Sequence, residues 1–207
     1  MKPLILVLLT ALTASSLLAQ PNSRNAPPPR SGILARGTYR DWNDYLDEVV
    51  VVRAARSASI RSVAVSIAAS PQLKYPPESE NTHRAVREVV AGAIRPFLRG
   101  FEEKLNRSGV TVRAGERSAA DGLSVRARIT RIDPGSQAAR YFGSFGAGAA
   151  IVEISGEIIN ERDHSTFIRF RQERRSGFGL GGGGYHALLD RTIRQIGGDI
   201  AGLVNAL

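Results

Sequence analysis

Residues 152–173 read VEISGEIINERDHSTFIRFRQE. In an extended chain Val152, Ile154, Gly156 and Ile158 fall on one side, and Glu153, Ser155 and Glu157 on the other. After the polar stretch Asn160–Ser165, Ile168 and Phe170 resume the apolar set and Arg169, Arg171 and Glu173 the charged one. The pattern predicts two strands joined as an antiparallel hairpin, with one face buried and the other in solvent. Even-numbered residues then oppose even-numbered ones, which brings Glu157 near Arg169 and Arg171 on the outer face. Each such cross-strand ion pair contributes roughly 0.2–1 kcal/mol. The parity of the apolar set fixes the register, because a slip of one residue would turn the whole set to water.

Upstream, Leu123, Val125, Ala127 and Ile129 alternate with Ser124, Arg126, Arg128 and Thr130, and Val63, Val65 and Ile67 alternate with Ala64 and Ser66. Both read as strands, and Val110–Val112 as a brief one. Such a sheet needs cover on its apolar face, and two segments supply it. Over residues 82–106, Val86, Val89, Val90, Ala93, Ile94, Phe97, Phe101 and Leu105 recur every three or four residues. Pro96 lies inside this helix and predicts a kink. Residues 185–206 form a second helix on Leu189, Ile193, Ile196, Ile200 and Leu203. Its Gly197, Gly198 and Gly202 predict a helix lying close against the sheet. Residues 41–56 carry Trp42, Tyr45, Leu46, Val49 and Val50 at helical spacing, with Asp41 and Asp44 at its start. That spacing predicts a further helix, running into a strand along the Val49–Val52 run. The order of elements predicts an α+β fold: a two-layer sandwich, mainly antiparallel sheet with two amphipathic helices on one face. A doubly wound nucleotide fold is not expected, since no βαβα series is present.

The ends set the context. Lys2, the apolar run Leu4–Leu12 and the small residue Ala19 have the layout of a secretory signal peptide, cut between Ala19 and Gln20. An uncleaved anchor is the alternative, although the run is short for a membrane span of about 20 residues. Residues 20–37, with Pro21, Pro27, Pro28 and Pro29, read as a flexible leader. Residues 38–207 then form a single domain.

The chain has 207 residues, a net charge of +9 and no cysteine. Disulfides, thiolate metal sites and cysteine nucleophiles are therefore excluded. Only Lys2, Lys74 and Lys104 are lysines, the remaining basic residues being arginine. Arginine forks suit phosphate and carboxylate oxygens, but here they are spread along the whole chain. The Gly143–Gly148 segment precedes a strand and so is no dinucleotide fingerprint. Gly177–Gly184 precedes a helix, where an anion site is physically possible, yet no P-loop lysine follows. His83, His164 and His186 have no partner at ligand spacing, and no nucleophile elbow occurs. Asp121 and Asp133 are carboxylates whose pairing only the fold decides. No catalytic residue, metal or cofactor is expected.

From Ala120-Asp121 through the strand to Ile132, then Arg140, Gly146-Ala147-Gly148, the strand Ala149–Ile159, a polar turn, another strand and Ser176-Gly177, the chain resembles a known family. That family comprises uncharacterised bacterial envelope proteins grouped as DUF4410-like, many of them lipoproteins. The resemblance covers roughly residues 60–206 and implies an α+β envelope domain with accessory or assembly work and no known enzymatic activity. Arg140, Gly146 and Gly148 match the family pattern. Together with Arg169 and Arg171 they are the candidate interaction residues. A lipoprotein of this kind would carry cysteine where Gln20 stands, so the expectation is an exported, unlipidated periplasmic or secreted protein. Its partner is expected to be another envelope protein. Binding to an anionic surface or polymer and an uncharacterised hydrolase activity are the alternatives.

Overall fold

The computed structural model describes residues 34–42, 45–54, 60–135, 149–176 and 184–207. The signal segment with Ala19 and Gln20, most of the leader, Arg140, Gly146, Gly148 and residues 177–183 lie outside the described residues. In chain order the elements are β1 (Gly37–Trp42), β2 (Leu46–Val51), β3 (Ser62–Ala69), α1 (Asn81–Gly92), α2 (Ile94–Lys104), β4 (Thr111–Ala114), β5 (Leu123–Asp133), β6 (Ile151–Asn160), β7 (Ser165–Arg175) and α3 (Tyr185–Asn205). The strands make one seven-stranded sheet in the order β1-β2-β7-β6-β5-β3-β4.

The β6–β7 hairpin has the predicted parity: Ile158 pairs with Ile168, Gly156 with Phe170 and Glu157 with Arg169. A bulge at Ile158/Ile159 shifts the register toward the turn. β5 continues the antiparallel series on β6. β3, however, runs parallel to both β4 and β5. The α1–α2 pair carries the chain back to the end where β3 began, and a parallel neighbour requires such a crossover.

The helix expected over residues 41–56 is absent from the described residues of that stretch, which exclude Asp44; they belong instead to the β1–β2 hairpin, in which Trp42 pairs with Leu46 and Tyr39 with Val49. The spacing of Trp42, Leu46 and Val49 fits a helix, and all three are buried. The β-branched run decides otherwise, because it pairs with β7 through Val49–Phe170 and Val51–Ile168. Asp41, expected as a helix cap, sits in the left-handed region at φ 52° and bends the end of β1. The helix at 82–106 is broken into α1 and α2 at Ala93, one turn before Pro96. Proline has no N–H to give the Gly92 carbonyl and its ring crowds that group, so the distortion falls on the preceding turn.

α1, α2 and α3 cover one face of the sheet. Phe97, Phe101, Ile193, Ile196 and Ile200 are fully buried against Val65, Val125, Ile154, Ile158 and Ile168. The expected close approach of the α3 glycines to the sheet is instead an approach to α2. A Cβ on Gly197 would lie 2.1 Å from the Phe97 carbonyl oxygen, and one on Gly100 only 1.8 Å from that of Arg194. The two helix backbones touch there, and only glycine permits it.

Candidate functional site

Among the described residues, none forms a covering layer over the centre of the sheet face opposite the helices. Its side chains form two rows across neighbouring strands. Val50, Arg169, Glu157 and Arg126 make one, and Glu48, Arg171, Ser155 and Arg128 the other. They line a shallow depression of about 450 Å³. The predicted Arg169 and Arg171 are thus brought together with Arg126 and Arg128 from β5, whose place beside them the sequence does not reveal. Glu157 stands opposite Arg169, but its carboxylate accepts from Thr166 Oγ1 at 3.2 Å. Arg171 lies 4.0 Å from Glu153, and Arg126 3.7 Å from Glu161. Among the described residues Arg128 and Arg169 have no carboxylate in ion-pair range.

One end of this face is closed by residues 115–122, which link β4 to β5. Beneath them Ser124 is fully buried and donates to Glu161 Oε1 at 2.5 Å, while the Ser118 N–H donates to Ser124 Oγ at 3.1 Å. Arg126 Nε reaches the Glu116 carbonyl at 3.1 Å, and His164 lies 3.4 Å from the other Glu161 oxygen. The serine hydroxyl faces a carboxylate, not an imidazole, so this group clamps the β6–β7 turn to the crossing segment. The remaining histidines are apart: His83 Nδ1 lies 2.6 Å from the Pro76 carbonyl oxygen and His186 3.2 Å from Glu88. Asp121 precedes β5 and Asp133 ends it, so the length of the strand, roughly 33 Å at about 3.3 Å per residue, separates them and they do not pair. Among the described residues no three metal-ligating side chains converge.

On the helical layer the α2–α3 seam gathers a second set of arginines. Arg95 and Arg99 of α2 and Arg191 and Arg194 of α3 line one cleft of about 590 Å³, with Pro96 and Ala187 beside them. Arg194 is held by Glu103 through two bonds, at 2.9 and 2.6 Å. The spacings i,i+4 and i,i+3 put each pair on one helix face. Those spacings are visible in the sequence; the docking of α2 on α3 that merges them is not.

Beyond the same seam, Trp42, Tyr45, Gly198, Gly202 and Asp199 line a groove of about 800 Å³. Asp199 accepts from Arg174 and from Gln172 Nε2. Burial raises the Asp199 carboxyl above its ordinary range, against the opposing effects of Gln172 and Arg174.

Fold and surface together define a two-layer α+β domain with one face sealed by helices and the other arginine-bearing and uncovered among the described residues. By sequence the chain belongs to the family of the domain of unknown function DUF4410, whose profile matches residues 67–182. No curated protein matches the sequence. Among solved structures, it is similar to a point-variant PelC dodecamer from Paraburkholderia phytofirmans. The identity there is 12%, with 74% of this chain and 95% of that chain covered and a TM-score of 0.42. A minor lipoprotein from Acinetobacter baumannii is 9% identical over 72% of this chain and 94% of that one, with a TM-score of 0.34. Lipoprotein GNA1162 from Neisseria meningitidis is 13% identical over 71% and 99%, with a TM-score of 0.28. Among the described residues no helix is long and apolar enough to cross a membrane.

Proposed function

We propose that this protein is an exported, non-catalytic accessory domain of the bacterial cell envelope that binds an acidic surface of another envelope protein through its open sheet face. The observation carrying this reading is the pair Arg128 and Arg169. Both are exposed on a rigid sheet, and neither has a carboxylate partner among the described residues. Unpaired charges on a preorganised surface favour a complementary acidic partner and set the rate and register of docking. The family membership and the signal-like segment Met1–Ala19 support an envelope location. Gln20 at the expected cut supports a released protein, since cysteine would be needed there for a lipid. Arg140, Gly146 and Gly148 belong to this reading as further interaction residues.

The test is co-isolation from native envelopes at two ionic strengths. One partner should be retained at about 0.1 M salt and shed near 1 M, where the Debye length shrinks from about 10 Å to about 3 Å. Arg128→Glu with Arg169→Glu should release it without unfolding the domain. Retention by the doubly reversed variant contradicts the reading.

A further inference from the structure

The arginine cleft on the α2–α3 seam carries a separate inference. Its four arginines come from two helices whose backbones meet at Gly100 and Gly197. That close approach draws the outward side chains of both helices over a single gap. Gathering like charges in this way costs folding free energy through self-repulsion. Internal compensation is incomplete. Glu103 neutralises Arg194, and among the described residues Asp190 is the single carboxylate lining the cleft. Among the described residues Arg95, Arg99 and Arg191 have no ion-pair partner. Two positive charges therefore remain once Glu103 and Asp190 are counted against the four arginines. Planar guanidinium forks from two helices, with Pro96 and Ala187 beside them, suit a small tetrahedral dianion or the bridging phosphate of a diester.

We propose that this cleft is a phosphate-binding site, distinct from the open sheet face and on the opposite side of the domain. The phosphate can belong to a lipid headgroup or to a small soluble phosphoester, and the same three arginines serve both. A domain bound through this cleft to a headgroup would lie with its helical layer on the membrane and its sheet face outward.

The experiment uses the full chain in two arms. One arm measures partition onto vesicles of phosphatidylcholine with and without phosphatidylglycerol. The other titrates soluble glycerol phosphate and follows arginine side-chain resonances by NMR. The test variant combines Arg95→Gln, Arg99→Gln and Arg191→Gln, all exposed positions. The charge-matched control combines Arg36→Gln, Arg61→Gln and Arg113→Gln, which lie elsewhere on the surface. Each arginine near an anionic surface is worth roughly 5-fold in partitioning, so the test variant should lose about 100-fold on the anionic vesicles. The control should bind much more tightly than the test variant. Binding in the vesicle arm alone assigns the phosphate to the lipid, and binding in the soluble arm assigns it to a small ester. Equal losses in test and control variants, or no binding in either arm, overturn the proposal. Circular dichroism of both variants reports whether either has lost its fold.

Discussion

Replacing Gly100 by alanine tests the packing that builds the seam. The new Cβ would lie 1.8 Å from the Arg194 carbonyl oxygen, where ordinary contact begins at 3.4 Å. A backbone carbonyl inside a helix cannot swing aside, so α2 and α3 must part by about 1.6 Å at that level, the shortfall between those two distances. Phe97, Phe101, Ile193 and Ile196 are fully buried in the core that these helices share. A gap of even 0.5–1 Å forfeits about a quarter to a half of the dispersion energy of the atoms across it. Overpacking of this sort costs about 1–3 kcal/mol, and the clash is severe enough to place Gly100→Ala at the upper end or beyond. The better helix propensity of alanine returns about 1 kcal/mol, leaving a net loss of about 2–3 kcal/mol. With a urea slope of about 1–3 kcal/mol/M, the midpoint should fall by about 0.7–3 M. Gly202→Ala on α3 is the control: nothing lies within 4 Å of its Cβ, so it should gain up to about 1 kcal/mol. If Gly100→Ala unfolds at the wild-type midpoint, or the two variants shift in the same direction, α2 and α3 do not meet backbone to backbone at Gly100.

Three further outcomes are expected. Ser124→Ala removes the donor to buried Glu161 and the acceptor of the Ser118 N–H, and should cost about 1–3 kcal/mol in urea unfolding; a loss below about 0.5 kcal/mol would deny the clamp its role. Because the Asp199 pKa is raised in the folded protein, its proton is held more tightly there than in the unfolded chain. Its contribution to stability is therefore complete below the ordinary 3.8 and is lost as pH rises through the raised folded value. Asp199→Asn should flatten that segment of the stability–pH curve, and a variant curve parallel to wild type would show that Asp199 does not titrate this way. Mass spectrometry of protein from the native host should find Gln20 as the first residue with no acyl group; a retained Met1 or a lipid adduct would contradict the expected processing.

The hairpin of β6 and β7 is legible in the sequence because both strands have one wet and one dry face, and period-two alternation encodes that state. α3 is legible for the corresponding reason at period 3.6. The β1–β2 hairpin is not: Trp42, Leu46 and Val49 are buried at intervals that a helix would also produce, and the pairing of Val49 with Phe170 that decides the matter spans more than a hundred residues. The α3 glycines show that something approaches closely, but not that it is α2. Of the candidate surface, Arg169 and Arg171 follow from strand parity alone. Arg126 and Arg128 join them only through the order of strands, and Arg95, Arg99, Arg191 and Arg194 only through helix docking. A charge spread evenly in sequence is thus gathered into two places by tertiary structure.

The most direct test of binding through the sheet face is site-specific photo-crosslinking in the living envelope. A photoreactive residue at Ser155, in the middle of the arginine rows, is compared with one at exposed Ala91 on the helical layer. Docking through the sheet face should give a single protein adduct from position 155 that disappears when Arg128 and Arg169 are both changed to glutamate, and no such adduct from position 91. An adduct that survives the charge reversal, or that forms from position 91 instead, would contradict it.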